Sequence, residues 1–353
     1  MNPRDRILAA INHLPVDRFP TDIWATGEVW EQLYQHFGIV GRTPMDRLTL
    51  YERLGVDGII GITPPYIGPE LPAGVNIRYN EWEMGYRAQV YGTGTYDEQV
   101  FYPLAEAKSL ADLEAFPWPS PDWYDYSALP GMASQYSDRA IECGYTAIFY
   151  WHNQLRGLEQ SLMDPLTEPE MTEYLIQRVS DFFTSYHTRC FEALQGKMDI
   201  TQVTDDFGGQ FGLLISPRVF ERFYRQPIQR AINLAKSYGI LVFHHDDGDC
   251  RQLIPRLIEM GINVLNPIQW RCGNWDLPAL KADYGGKLCF HSAVDNQYTL
   301  PFGTPDDVRA EVRMLAQTLG SDRTGLIIAP CHNLQPNTSV ENILALYNEA
   351  SRV

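Results

Sequence analysis

The chain has no paired-cysteine motif. Its six cysteines, Cys143, Cys190, Cys250, Cys272, Cys289 and Cys331, are scattered without a CxxC spacing. That pattern suits reduced thiols in a cytoplasmic enzyme and speaks against a disulfide framework. Positive charge is also scarce: 28 Lys and Arg against 44 Asp and Glu leave a net charge of −16. Binding a phosphate backbone needs a basic face, so a nucleic-acid partner is excluded. No apolar run approaches the roughly 18 residues of a membrane span, and Met1–Arg6 lacks the apolar core of a signal peptide. A cytoplasmic location without membrane contact is therefore expected. No GxGxxG turn follows an early apolar run, and neither an internal repeat nor a low-complexity tract is present.

What remains is an ordinary globular composition, 44% hydrophobic and 20% charged over 353 residues. That length suits one α/β barrel of roughly 250–350 residues as well as two smaller domains. Eight short apolar runs look like buried strands: Phe19–Trp24, Asp57–Ile62, Tyr145–Trp151, Asp199–Thr204, Ile240–His245, Ile262–Pro267, Lys287–His291 and Gly325–Ala329. Most precede a segment of helical period with its own cap, such as Ser216-Pro217, Thr304-Pro305 and Ser339, and Asp249 is placed to cap the helix that Gly261 ends. Eight strands alternating with helices predict a single α/β domain over residues 1–353, a (β/α)8 TIM barrel with an N-terminal helical extension. A doubly wound open sheet is the runner-up. Residues 75–103 read instead as antiparallel hairpins inserted after the second strand.

In such a barrel the active site lies at the strand C-terminal ends. Polar groups gather there: His152 after the third run, Asp205, Asp206 and Gln210 after the fourth, Asn266 and Gln269 after the sixth. His291 and Asp295 follow the seventh, and Cys331, His332, Asn333 and Gln335 the eighth. The densest stretch is Phe243-His244-His245-Asp246-Asp247-Gly248-Asp249 after the fifth. Ionisable groups where a buried strand meets a helix are costly unless they bind something. His245 and Asp247, two apart on an extended segment, face one site, and a HxD pair binds zinc or another divalent metal. His244 points to the opposite face and reads as structural. Asp205-Asp206 reads either as a metal or general-base carboxylate or as a cap for the next turn. Asp22 and Thr63 are weaker candidates at the ends of the first two runs.

The opening Asn2-Pro3-Arg4-Asp5-Arg6-Ile7-Leu8-Ala9-Ala10, then Pro15-Val16-Asp17-Arg18-Phe19-Pro20, Leu54-Gly55-Val56-Asp57, Ile215-Ser216-Pro217, the segment Gly261–Gln269 and Glu341-Asn342-Ile343 occur in the order found in one family. On these residues the chain resembles the uroporphyrinogen decarboxylase superfamily, whose fold is a (β/α)8 barrel. True decarboxylases of that family carry an arginine-bearing motif after the first strand and an aspartate after the second. Here those places read Trp24-Ala25-Thr26-Gly27-Glu28-Val29-Trp30 and Gly61-Ile62-Thr63-Pro64-Pro65. A polyanionic substrate without its arginine clamp is poorly held. Only His332 matches a decarboxylase position.

The chain is more similar to the zinc- and corrinoid-linked methyltransferases of the superfamily. Their zinc is held by a His-x-Cys pair and a later Cys, and the matching positions here are His245, Asp247 and His332. The resemblance implies a metal-dependent methyltransferase or demethylase of a small or methoxylated substrate. Zinc or another divalent ion sits on His245, Asp247 and His332, with Cys331 as a neighbouring thiol that substitutes for His332 if the loop turns. Asp205 or Asp295 acts as general base, and His152, Asp206, Gln210, Gln269, His291 and Gln335 line the substrate pocket. A separate corrinoid protein is the implied partner, because the chain carries no DxHxxG motif, and a homodimer is expected by analogy. Two alternatives stand beside this reading: a decarboxylase or lyase using His332 and Asp205 without metal, and a non-catalytic ligand-binding relative.

Overall fold

The computed structural model describes residues 1–92 and 94–353. Seven parallel strands follow one another in chain order around a curled sheet: β1 (Ile59–Ile62), β2 (Ala140–Thr146), β3 (Ile200–Val203), β4 (Leu241–His245), β5 (Val264–Asn266), β6 (Cys289–His291) and β7 (Leu326–Ile327). The eighth place is filled by Pro20–Ala25 without a regular ladder. On one side Asp22 N–H donates to Ile328 O (3.1 Å) and Ile328 N–H to Pro20 O (2.9 Å); on the other, Gly58 N–H donates to Thr21 O (3.0 Å). Pro20 has no N–H to give a ladder, and toward β1 the Asp22 side chain takes the place of a backbone carbonyl by accepting from Ile59 N–H at 3.0 Å. The expected α/β barrel is thus borne out, with one irregular member.

The third strand is displaced from its expected place. The run Tyr145–Trp151 straddles the end of β2 and the start of helix α2 (Ile148–Arg156). Asp205 Oδ1, at the end of β3, accepts from Tyr150 N–H at 2.8 Å and supplies one of the partners that the first turn of α2 needs. The other strands lie inside the runs expected for them, trimmed at the ends. Gly261 ends the helix Ile254–Met260 in the left-handed region, at φ 102°. Asp249 does not cap that helix; it accepts from the Arg251 guanidinium at 2.7 Å.

The N-terminal helix α1 (Pro3–Ile11) closes the floor. Its Ile7, Ala10 and Ile11 are buried in one apolar cluster with Ala140, Ile200, Phe243, Val264, Cys289 and Ile327 of the strands. At the opposite end, an antiparallel sheet of Ala73–Gly74, Ile77–Tyr79, Gly85–Tyr91 and Gly94–Phe101 rises beside the mouth. Tyr91 Oη donates to Gln335 Oε1 (3.1 Å), and Glu28 Oε1 accepts from Thr95 N–H (2.8 Å), which ties this sheet to the rim. Among the described residues, no helix is long and apolar enough to cross a membrane.

Candidate metal centre

Strand β4 delivers His245 to the mouth, and the turn after it is held by close backbone contacts. Asp246 Oδ1 accepts from Gly208 N–H (2.8 Å), and Asp249 N–H donates to Gly209 O (2.8 Å). Gly248 sits at φ 79°, where a Cβ would stand 2.6 Å from Gly209 O. That conformation favours glycine. The turn aims Asp247 back across the mouth, and His332 reaches it from the loop after β7. His245 Nε2 lies 3.7 Å from Asp247 Oδ1, and His332 Nε2 lies 3.5 Å from Asp247 Oδ2. Asp206 Oδ1 stands 3.6 Å from His245 Nε2 and accepts from Asp247 N–H at 3.2 Å. Trp24 forms the floor, its ring centroid 5.5 Å from His245 and 6.1 Å from both His291 and His332.

His245, Asp247 and His332 each offer one ligand atom, and the three lie within 4.8 Å of one another. A tetrahedral zinc with bonds of about 2.0–2.2 Å sets its ligand atoms roughly 3.3–3.6 Å apart; the two His–Asp separations, 3.7 and 3.5 Å on the two oxygens of Asp247, lie near that range. Asp247 Oδ1 is buried and has no hydrogen-bond partner, a costly condition that a cation would relieve. Burial, opposed by the Asp247 charge, lowers the His332 pKa below the ordinary histidine range, so its imidazole is a neutral donor at physiological pH. Two imidazoles and a carboxylate suit zinc and also harder divalent ions. Cys331 does not substitute: it is buried, its Sγ donates to Ile268 O at 3.4 Å, and burial pushes its thiol well above the usual range.

The remaining expected site residues divide into rim and interior. Gln210 accepts weakly from Cys272 Sγ (3.4 Å), Gln269 Oε1 holds the turn through Gly248 N–H (2.7 Å), and Gln335 anchors Tyr91. Four expectations need correction. His152 lies in α2, not at a strand end; it is fully buried, and its Nδ1 pairs with Tyr224 Oη at 2.9 Å. Asp205 is buried beneath the mouth, out of reach of a substrate, with its Oδ1 accepting from the first turn of α2, and burial raises its pKa above the ordinary carboxylate value. Asp295 is buried, accepts from the backbone of Gln297, Tyr298 and Thr299 and pairs with Arg271 at 3.0 Å, so its carboxylate serves the turn before Thr299 and does not open onto the mouth. His291 is buried between Asn266 and Asp22 and has no face open to a substrate. Trp24 was not anticipated as a site residue; its signal was its position at the end of an apolar run.

A model of the uroporphyrinogen decarboxylase family matches residues 143–353, more than half of the chain. The chain belongs to that family. Among solved structures, a methyltransferase from Methanosarcina mazei is similar over 100% of this chain and 99% of its own, at 18% identity and a TM-score of 0.70. Xylanase 10B from Thermotoga maritima aligns with 66% of this chain and 82% of its own, at 10% identity and a TM-score of 0.42. No curated protein matches the chain.

Proposed function

We propose that this chain is a metal-dependent methyltransferase or demethylase, moving a methyl group between a small methylated substrate and a corrinoid protein or thiol. The observation that carries the reading is the convergence of His245, Asp247 and His332 at the barrel mouth, with Asp247 Oδ1 buried and unpartnered. The full-length fold likeness to a methyltransferase supports the same branch of the family. These three residues would hold a zinc or similar divalent ion, which when bound supplies Lewis-acid polarisation of the substrate heteroatom. Asp206, beside His245 Nε2, takes the general-base role expected of Asp205 or Asp295, because its side chain is partly exposed at the mouth where those two are buried, although its Oδ1 also accepts from Asp247 N–H. Trp24 supplies an apolar floor that excludes water beneath the reacting group. With a carboxylate and an imidazole where related zinc sites carry thiolates, the donor set favours an oxygen-bound methyl group, as in a methoxylated substrate.

Metal analysis after gentle purification tests the reading. The expected result is about one equivalent of zinc per chain, lost in His245→Ala, with methyl transfer to an added corrinoid protein that depends on the metal. A chain that binds no divalent metal, or one that releases CO2 from a carboxylated substrate through His332 without it, would overturn the proposal.

A further inference from the structure

Behind His245 runs a buried chain of hydrogen bonds that reaches the opposite side of the barrel. Asn266 Oδ1 lies 2.5 Å from His245 Nδ1, and Asn266 Nδ2 lies 2.8 Å from His291 Nδ1. His291 Nε2 lies 3.0 Å from Asp22 Oδ2. Asp22, Asn266 and His291 are each no more than 1% exposed, so water does not compete for these contacts. The register of the sheet explains the alignment: His245 pairs with Asn266 across β4 and β5, and the next interior position on β6 is His291.

The donors and acceptors can be assigned in only one direction. Asn266 Nδ2 also faces the His291 carbonyl oxygen at 3.5 Å, which fixes the amide with its NH2 toward His291 and its oxygen toward His245. His291 Nδ1 must then accept, which puts its proton on Nε2, where the acceptor-only carboxylate of Asp22 receives it. Asp22 in turn is fixed, because its Oδ1 accepts from Ile59 N–H and its carbonyl from Tyr347 Oη at 2.9 Å. At the other end an amide oxygen can only accept, so His245 must carry its proton on Nδ1.

We infer that Asp22, His291 and Asn266 form a positioning relay that holds His245 as the Nδ1–H tautomer, with its Nε2 lone pair presented to the metal centre. His291 is then a positioning residue, and not a substrate ligand. The same chain turns the His245 ring so that Nε2 faces Asp206 and Asp247, and donation from Nδ1 to the amide raises the basicity of Nε2. No proton has to leave Nε2 before a cation binds there. The metal consequence rests on the proposed function; the tautomer does not.

The test uses the metal-free full chain labelled with 15N-histidine, read by long-range 1H–15N correlation at about pH 8, where neutral imidazole prevails. The His245 signals are assigned by their loss in His245→Gln. The expected wild-type pattern is a protonated Nδ1 and a bare Nε2. Asn266→Leu should spread the proton onto Nε2 and weaken zinc binding, measured by chelator competition, by about 10- to 100-fold. Asn266→Asp, which can still accept from Nδ1, should keep the tautomer and stay within a few-fold of wild type. A wild-type His245 protonated on Nε2 would overturn the inference, as would an Asn266→Leu chain with unchanged tautomer and affinity. A wild type with the Nδ1–H pattern and no zinc binding would uphold the relay and sink only the proposed function. If Asn266→Leu does not fold, the wild-type spectrum decides alone.

Discussion

The backbone of Gly208 lies so close to Asp247 that a Cβ at position 208 would stand 2.2 Å from the Asp247 carbonyl oxygen. The contact is between backbones, so no side chain can swing away to relieve it. Gly208→Ala must push the turn after β4 outward and carry the Asp247 carboxylate with it. Overpacking of this kind costs about 1–3 kcal/mol, and the expected result is a modest fall in melting temperature together with a larger loss of zinc affinity. Calorimetry and chelator competition on the same sample check it. Zinc affinity unchanged in a destabilised variant would mean that Asp247 does not depend on this contact.

Asp206 and Asp205 are neighbours with opposite fates, and substitution should separate them. Asp206→Asn keeps size and leaves His245, Asp247 and His332 in place, so any metal content should stay at the wild-type level. Methyl transfer should fall by about 10²–10⁴-fold if Asp206 is the general base. Asp205→Asn should behave differently, because Asp205 Oδ1 caps α2 through Tyr150 N–H. An asparagine oxygen can still accept there, so stability should change by less than about 1 kcal/mol and the rate should change little. Equal rate losses in the two variants would remove the distinction.

How far these roles were legible depends on which physics each residue obeys. Leu241–His245 and Val264–Asn266 were readable because strands of a parallel sheet, covered on both faces, appear as apolar runs. The HxD pair was readable because side chains two apart share a side of an extended segment. The strand Ala140–Thr146 was hidden by Glu142, a carboxyl inside the barrel that burial and the nearby Asp22 push up to about 8; a neutral acid is tolerated where the sequence shows a charge. The choice among Asp205, Asp206 and Asp295 was illegible because it turns on which backbone N–H groups remain free after folding. Those partners, Tyr150 for Asp205 and Thr299 for Asp295, belong to helices whose starts the sequence does not mark sharply. His332 stood among the polar residues after the eighth run, but its pairing with His245 was reached only through the family resemblance, since the 86 residues between them carry no periodic signal that joins the two.

Asp247 occupies a position where the methyltransferases that this chain resembles carry a thiolate, and exchanging it tests what the carboxylate does. Asp247→Cys places a soft donor between two imidazoles that stay in place. Zinc and cadmium should gain over manganese in competition experiments, by about tenfold or more, equivalent to roughly 1.4 kcal/mol. A selectivity ratio identical to wild type would show that Asp247 does not reach the ion.

Glu142 links the interior of the barrel to pH. Its half-buried carboxyl accepts from Gln202 Nε2 at 2.9 Å, yet burial first and the Asp22 charge second raise its pKa from 4.5 to about 8. The folded chain therefore binds this proton more tightly than the unfolded chain does. Its contribution to stability is complete below about pH 4.5 and is lost as pH rises through about 8. Glu142→Gln imitates the protonated side chain and has no proton to lose. The melting temperature of the variant, measured against wild type, should therefore climb steadily between those two pH values, with a final gap worth up to a few kcal/mol. Other titrating groups are common to both chains and cancel in the difference. A difference that stays flat across the whole range would show that Glu142 is ionised in the folded barrel.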